Sequence, residues 1–477
     1  MIKTSLPCPL RTLGLAGLLA LSLGGCAGTE QRETRVLVLE GGAEDIVTTA
    51  TAQGLVSFDS DGGIVPALAN SWHVSDDGLS YIFRIDETTF EDGRAVDAEI
   101  VAQILTERLS DPDNRLRDSV GVIEEIEAMT DRVIEIRLTS PRPFLLQLLA
   151  QPAFAIRDGD EGTGPYRRLA GEDVDEARTD LGRLVGEDGE LSEERVVVTG
   201  VDDAAAAIAQ FSAGDADLVT GGTFTTLPLA REAAGLFGGP RYDPVAGLFG
   251  LLPMSSVGAL AEPEVRAALN AAIDRDALVR AMGVPDLLPR ATLLQAGLDI
   301  RATGTAPAFV SRPIEDRRAD ARALLAARSL NGASVLVDLP EGPGADILFQ
   351  RLSADWGAIG LSVERAQPLG PPAHFSLVDQ VAPAASAAWF LRAFRCGTRA
   401  FCSPEADELL NAARAATDRG DRARLLREAA VLMQEETLFL PLTAPVRWSL
   451  VAQSLDGFAV NRFASHPVAR LRTKESR

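Results

Sequence analysis

Val65-Pro66-Ala67-Leu68-Ala69-Asn70-Ser71-Trp72-His73-Val74-Ser75-Asp76-Asp77-Gly78-Leu79-Ser80-Tyr81-Ile82-Phe83-Arg84-Ile85 reads as two alternating runs around Asp77-Gly78. That dipeptide is a hairpin signal, because glycine supplies the positive φ a tight turn needs. Downstream, Phe90-Glu91-Asp92-Gly93-Arg94 makes a second turn, Asp97 opens an amphipathic helix through Ile100, Val101, Ile104 and Leu105, and Val133 to Leu138 alternates as a strand. Upstream, the apolar run Val36 to Leu39 reads as a strand ending in Glu40-Gly41-Gly42. Leu55-Val56-Ser57-Phe58 then leads into the turn cluster Asp59-Ser60-Asp61-Gly62-Gly63. Gly162-Thr163-Gly164-Pro165-Tyr166 is a turn whose Gly and Pro set dihedrals. Val196-Val197-Val198 is a buried-type strand, Asp203 caps an Ala-rich helix that ends at Gly214, and Leu218-Val219 restarts a strand. Helix, glycine, strand is an α/β crossover unit. Pro263 to Met282 is helical, with Val265, Leu269, Ile273 and Leu278 on one side. Further helices are predicted near 318–328, 344–358 and 404–436, and a strand at Ser334 to Val337.

The N-terminus carries Lys3 and Arg11, then Leu13 to Leu23 almost wholly in Leu, Ala and Gly, and reaches Leu23-Gly24-Gly25-Cys26. The apolar run is shorter than the roughly 20 residues of a membrane helix, so it reads as a signal peptide over residues 1–25. Leu-Gly-Gly-Cys resembles the bacterial lipobox, which implies cleavage before Cys26 and acylation of its thiol, with residues 26–34 as a tether. An ordinary secretory signal with a chance cysteine is the other reading, and both take the chain out of the cytoplasm. Without residues 1–25 the balance is 44 Lys and Arg against 68 Asp and Glu, or −24. Such a charge argues against nucleic acid and against adsorption to anionic lipid. It suits a cationic ligand, and equally a merely soluble acidic surface. Lysine occurs only at 3 and 474.

Of four cysteines, Cys8 falls in the signal and Cys26 at the lipobox, leaving Cys396 and Cys402. In an oxidising compartment this close pair is expected to form a disulfide, contributing about 2 kcal/mol by loop entropy. A zinc site is the alternative, but His73, His374 and His466 are not in ligand spacing with the pair.

Together these stretches resemble the family 5 extracellular solute-binding proteins, the group of dipeptide-, oligopeptide- and nickel-binding receptors. The resemblance is carried by Pro66 to Trp72, Asp76 to Arg84, Phe90 to Gly93, Gly162 to Tyr166, Val265 to Arg275, Leu440-Pro441-Leu442 and Gly457-Phe458. It implies an α/β, two-lobed periplasmic-binding-protein fold, type II and cluster C-like, with an extra domain inserted in the first lobe. The implied division is 35–60 with 160–235 and 445–477 as lobe I, 61–159 as the inserted domain II, and 236–444 as lobe II. Implied partners are a small peptide or peptide-like ligand, the permease and ATPase of an ABC importer, and a membrane reached through the lipid anchor. A monomer facing the periplasm or the extracellular side is expected, with no nucleic acid, no metal and no cofactor.

For the pocket, peptide-binding relatives carry an Asp four residues before a Pro that pairs with the ligand α-ammonium. Asp379 stands four before Pro383. A buried carboxylate facing an ammonium is chemically sensible, since each offsets the other's desolvation. A loop cap is the bland reading of Asp379. Where those relatives hold the peptide carboxylate with Arg, this chain has Leu339. The resemblance also extends to a cysteine pair that Cys396 and Cys402 match. Trp389 and Trp72 are candidate ligand contacts, although a tryptophan placed like Trp72 is more often a core aromatic. Arg266, Asp274 and Arg275 read as a solvated helix-surface charge network. No His-Glu-x-x-His, Gly-x-Ser-x-Gly or phosphate-binding Gly-rich loop is present, which disfavours an enzyme. A receptor-fold lipoprotein acting as peptide sensor or chaperone is the other class. Aromatic content of 5% leaves few stacking platforms for sugars.

Overall fold

Arg32–Leu39 alternates its side chains between two cores, and this decides how its sheet is covered. Val36 and Val38 pack with Val47, Tyr166 and Val198 on one face, while Leu37 and Leu39 pack with Ala207, Val219 and Phe224 on the other. A strand apolar on both faces must sit inside a sheet with a layer on each side. The computed structural model describes residues 32–169, 177–185, 190–233, 239–254, 258–300, 304–397 and 399–474. The expected signal peptide, Cys26 and most of the tether lie outside the described residues.

Arg32–Leu39 lies near the middle of a seven-stranded sheet, parallel to Glu190–Val201 and to Leu218–Thr223. Tyr166–Arg168 and Arg178–Val185 extend one side, and Arg447–Val451 and Arg241–Tyr242 the other. A five-stranded sheet runs Ser362–Arg365, Ser334–Asp338, Phe375–Val381, Gly247–Pro253, Leu440–Thr443. Its strand Gly247–Pro253 is buried throughout, with Phe249 and Leu251 facing one core and Leu248 and Leu252 the other. A four-stranded antiparallel sheet, Ala69–Val74, Ser80–Ile85, Val133–Leu138 and Ile123–Thr130, has its own core of Tyr81, Phe83, Ile134 and Ile136. Among the described residues no helix is long and apolar enough to cross a membrane.

The local signals act as expected at several points. Gly78 has φ 70° in the hairpin between Ala69–Val74 and Ser80–Ile85. Asp97 accepts from Ile100 N at 2.8 Å, and Asp203 caps Ala204–Ala213, which stops at Gly214.

Two expectations are corrected. The helix expected over Pro263 to Met282 is two, Pro263–Ala272 and Arg275–Met282. Asp274 breaks it: its side chain caps Ala277 N at 2.9 Å, and its own N–H donates to the buried Asp355 carboxylate at 3.0 Å. Arg266 and Arg275, expected on a solvated surface, are 1% and 6% exposed. Arg266 donates to the carbonyls of Glu436 at 2.5 Å and Thr437 at 3.3 Å, and Arg275 to those of Pro441 at 2.8 Å and Asn270 at 3.0 Å. Their guanidiniums satisfy carbonyls left open at helix C-termini and along the return strand.

The Gly162 to Tyr166 stretch is also governed by something besides dihedrals. A Cβ on Gly164 would stand 2.3 Å from Ala50 O and from Thr51 C, and one on Gly162 would stand 2.0 Å from Thr51 O. The segment docks flat on the end of helix Ala43–Thr51, with Gly164 N donating to Thr51 O at 2.7 Å. Gly164→Ala is therefore expected to lower unfolding stability by about 1–3 kcal/mol through overpacking against backbone. Urea denaturation checks this: an unchanged midpoint would mean that the docking is not tight.

Candidate ligand-binding cleft

The parallel strands of both sheets point their C-terminal ends at one crevice, where α/β sheets bind ligands. From the first sheet come Glu40, just past Leu39, and Thr223 and Thr225 at the end of Leu218–Thr223. From the second come Asp338, at the end of Ser334–Asp338, and Ser376 and Asp379 of Phe375–Val381. With Pro340 and Arg447 these residues line a cavity of about 390 Å³. A second cavity, about 670 Å³, is lined by Gly41 and Val381, neighbours of Glu40 and Asp379, together with Asp45, Arg115 and Arg157. That volume is in the range of small-molecule sites.

Asp379 is a strand residue, paired across the ladder with Phe249, so the loop-cap reading does not hold. Its carboxylate accepts from Arg447 Nη1, 3.0 Å from each oxygen, with both side chains about 15% exposed. Arg447 begins the last long strand of the first sheet, so the ion pair bridges the two sheets. Burial pushes the Asp379 carboxyl above the ordinary range, Arg447 pulls it back, and nearby Glu40 adds to the rise.

Glu40 went unremarked in the sequence beyond ending a strand. It adopts φ 55°, the left-handed region that disfavours a side chain. Thr223 Oγ1 donates to its carboxylate at 2.6 Å and Thr225 Oγ1 at 3.1 Å. A strained non-glycine residue held by hydroxyls at a cleft is a functional signal. The cavity's charged lining is thus Glu40, Asp338 and Asp379 against Arg447, an excess of two negative charges.

The other candidates lie elsewhere. Trp72 pairs with Phe83 and packs on the core of the four-stranded sheet. Trp389, in helix Ala387–Arg392, meets Phe390 edge-on at 5.1 Å. Neither lines the two cleft cavities. Leu339 packs on the main core beside Pro340, and the nearby Arg365 is taken by Asp346 at 2.7 Å. Cys396 and Cys402 have Cα atoms 5.0 Å apart and sulfurs in bonding contact, between helices Ala387–Arg392 and Pro404–Ala415. His374 Nδ1 accepts from Leu336 N at 2.8 Å and His466 faces Asp243 at 3.2 Å. Among the described residues no three His, Cys, Asp or Glu converge as metal ligands.

The chain is similar to known proteins over most of its length. OppA of Haemophilus influenzae, in complex with RPPGFSPFR, superposes with a TM-score of 0.79 at 18% identity, covering 94% of this chain and 99% of that one. A probable di/tripeptide-binding protein of Pseudomonas aeruginosa is 24% identical over 88% of this chain and 89% of its own length. The glutathione-binding protein GsiB of Pectobacterium atrosepticum is 34% identical over a shorter stretch, 26% of this chain and 27% of that protein. These relatives are named as binding proteins, not enzymes. The family model of the bacterial extracellular solute-binding proteins, family 5, middle region, matches residues 63–370. The two-lobed α/β fold, the cleft at its strand ends and that match have one meaning: the chain belongs to the bacterial extracellular solute-binding proteins of family 5.

Proposed function

We propose that this chain is the substrate-binding component of an ABC importer, which captures a small peptide-like solute by lobe closure and delivers it to the permease. The observation that carries this is the acidic wall on both sides of the cleft, Glu40 on one sheet and Asp338 and Asp379 on the other. Three carboxylates against one guanidinium suit a ligand that brings an ammonium, since pairing offsets the desolvation of both groups. The names of the relatives point the same way, toward di- and tripeptides and glutathione. Closure would turn on the crossings at 243–246 and 444–446. Ligand favours the closed state by as much as it binds that state better. Strand Arg241–Tyr242 pairs with Arg447–Val451 of the first sheet, so in this reading the second lobe starts at Asp243 and not at 236. Trp389 and Trp72 keep a role here only as supports of the lobes. Cys26 would anchor the mature chain to the membrane, with the Cys396–Cys402 disulfide formed outside the cytoplasm.

Asp379→Asn is expected to weaken binding of a free-amine peptide by about 2–5 kcal/mol, because the ligand cation stays desolvated without its partner. An N-acetylated ligand, which brings no cation, is expected to lose little. Calorimetric titration of the best hit from a peptide thermal-shift screen reads both. Equal affinities of wild type and variant for the free amine would remove Asp379 from the site. For the anchor, Cys26→Ser should move the protein from the detergent phase to the aqueous phase on partitioning, and unchanged partitioning would refute acylation. For the cysteines, mass spectrometry of the unreduced protein should find Cys396 and Cys402 joined. Two free thiols would contradict the pairing.

A further inference from the structure

Where the four-stranded unit meets the second lobe, five arginines close on one small space. Arg142 comes from the segment after Val133–Leu138, Arg392 from helix Ala387–Arg392, Arg395 from just beyond it, Arg414 from Pro404–Ala415 and Arg422 from Arg419–Glu435. The cavity they line is about 30 Å³, and the only acidic side chain lining it is that of the exposed Asp118.

Most of this positive charge has no carboxylate to answer it. Arg422 is paired with Asp299 at 2.6 Å, and Arg395 lies 3.8 Å from Asp407. Arg142, Arg392 and Arg414 form no ion pair with a carboxylate among the described residues. They are held instead by carbonyls and hydroxyls: Arg142 by Pro141 O at 2.9 Å and Arg414 O at 3.4 Å, Arg392 by Asp118 O and by Ser119 Oγ at 3.4 Å, and Arg414 by Gly121 O. Carbonyl dipoles do not cancel a net charge, and Arg142 is only 6% exposed. Burial and the neighbouring guanidiniums push Arg142 down to about 9 against the opposing pull of Asp299, and burial pushes Arg392 down to about 10 against that of Asp118. Arg392 is half-buried and Arg414 exposed, so the buried charge centres on Arg142, and in a chain of net charge −22 such a local excess of cations calls for a counter-ion.

We propose that this cavity is a binding site for a monatomic halide, chloride in its natural setting, which neutralises the Arg142–Arg392–Arg414 cluster and ties the four-stranded unit to the second lobe. Size restricts the occupant: a water molecule needs roughly 10–15 Å³ of such space, so the cavity admits an ion of about that size and no peptide. Chemistry restricts it further, since guanidiniums lining it from three elements attract an anion and repel any cation. The site is separate from the cleft and shares no lining residue with either of its cavities. Its failure would leave the peptide reading untouched.

The test is thermal unfolding of the purified protein at millimolar chloride, with gluconate, too large for the cavity, holding ionic strength constant. A ligand that binds only the folded state raises the midpoint with the logarithm of its concentration above Kd. Wild type should show that rise with chloride and with bromide. Arg142→Gln should lose the halide dependence, while Arg94→Gln, an exposed arginine paired with Asp92 and Asp158, should keep it. If Arg142→Gln fails to fold, wild-type crystals soaked in bromide decide the matter. An anomalous peak between Arg142 and Arg392 supports the site. Its absence, or midpoints that are the same in chloride and gluconate, overturns it.

Discussion

Two buried crossings of the chain, 243–246 and 444–446, are what join the seven-stranded sheet to the five-stranded one. Asp243, Val245, Ala246 and Val446 are each less than a tenth exposed. Backbone polar groups at such depth must find partners, and here the ladders supply them. Asp243 N donates to Arg447 O at 3.1 Å and Ala382 N to Ala246 O at 2.8 Å, so the first crossing is bonded at one end to a strand of the seven-stranded sheet and at the other to the end of a strand of the five-stranded one. The Asp243 carboxylate takes Asn461 N at 2.9 Å and faces the His466 ring, which stacks on Phe458. The joint is therefore a continuous hydrogen-bonded element, and it sets the register that puts Asp379 opposite Phe249 and within reach of Arg447.

That register explains the character of the cleft. Phe224 of the first sheet meets Phe249 of the second edge-on at 4.9 Å, so the two halves share an apolar core immediately behind the polar wall. Charges in front of such a core are poorly solvated, which is why the Asp379 carboxyl is pushed up even with Arg447 beside it.

The near absence of lysine also acquires a physical sense. Arg266 and Arg275 are buried and each satisfies several carbonyls at once, and Arg422 bonds Asp299 while lying 6.0 Å from the Phe144 ring. A planar guanidinium with five donors, more weakly hydrated than an ammonium, does this at lower cost than lysine could. Around Arg142 the same habit brings five guanidiniums together.

Much of the architecture was legible in sequence, because local chemistry determines it. Asp77-Gly78 reads as a turn, Asp97 and Asp203 each cap the helix that begins at the next residue, and the apolar run Val36 to Leu39 reads as a strand. The family motifs, which are such local signals in a particular order, identified the scaffold. Tertiary structure alone decided the rest. Whether Arg266 and Arg275 face water depends on where the return strand near Pro441 passes, some 170 residues on, and i,i+4 spacing carries no trace of that. Trp72 and Trp389 are aromatic in any context, and only packing places Trp72 on the core of the four-stranded sheet and Trp389 against Phe390. Asp379 was singled out through a motif, but Glu40 and Arg447, which line the same cavity, stand 339 and 68 positions away. They are brought to it by two sheets whose strand ends converge, a long-range coincidence that no local pattern encodes.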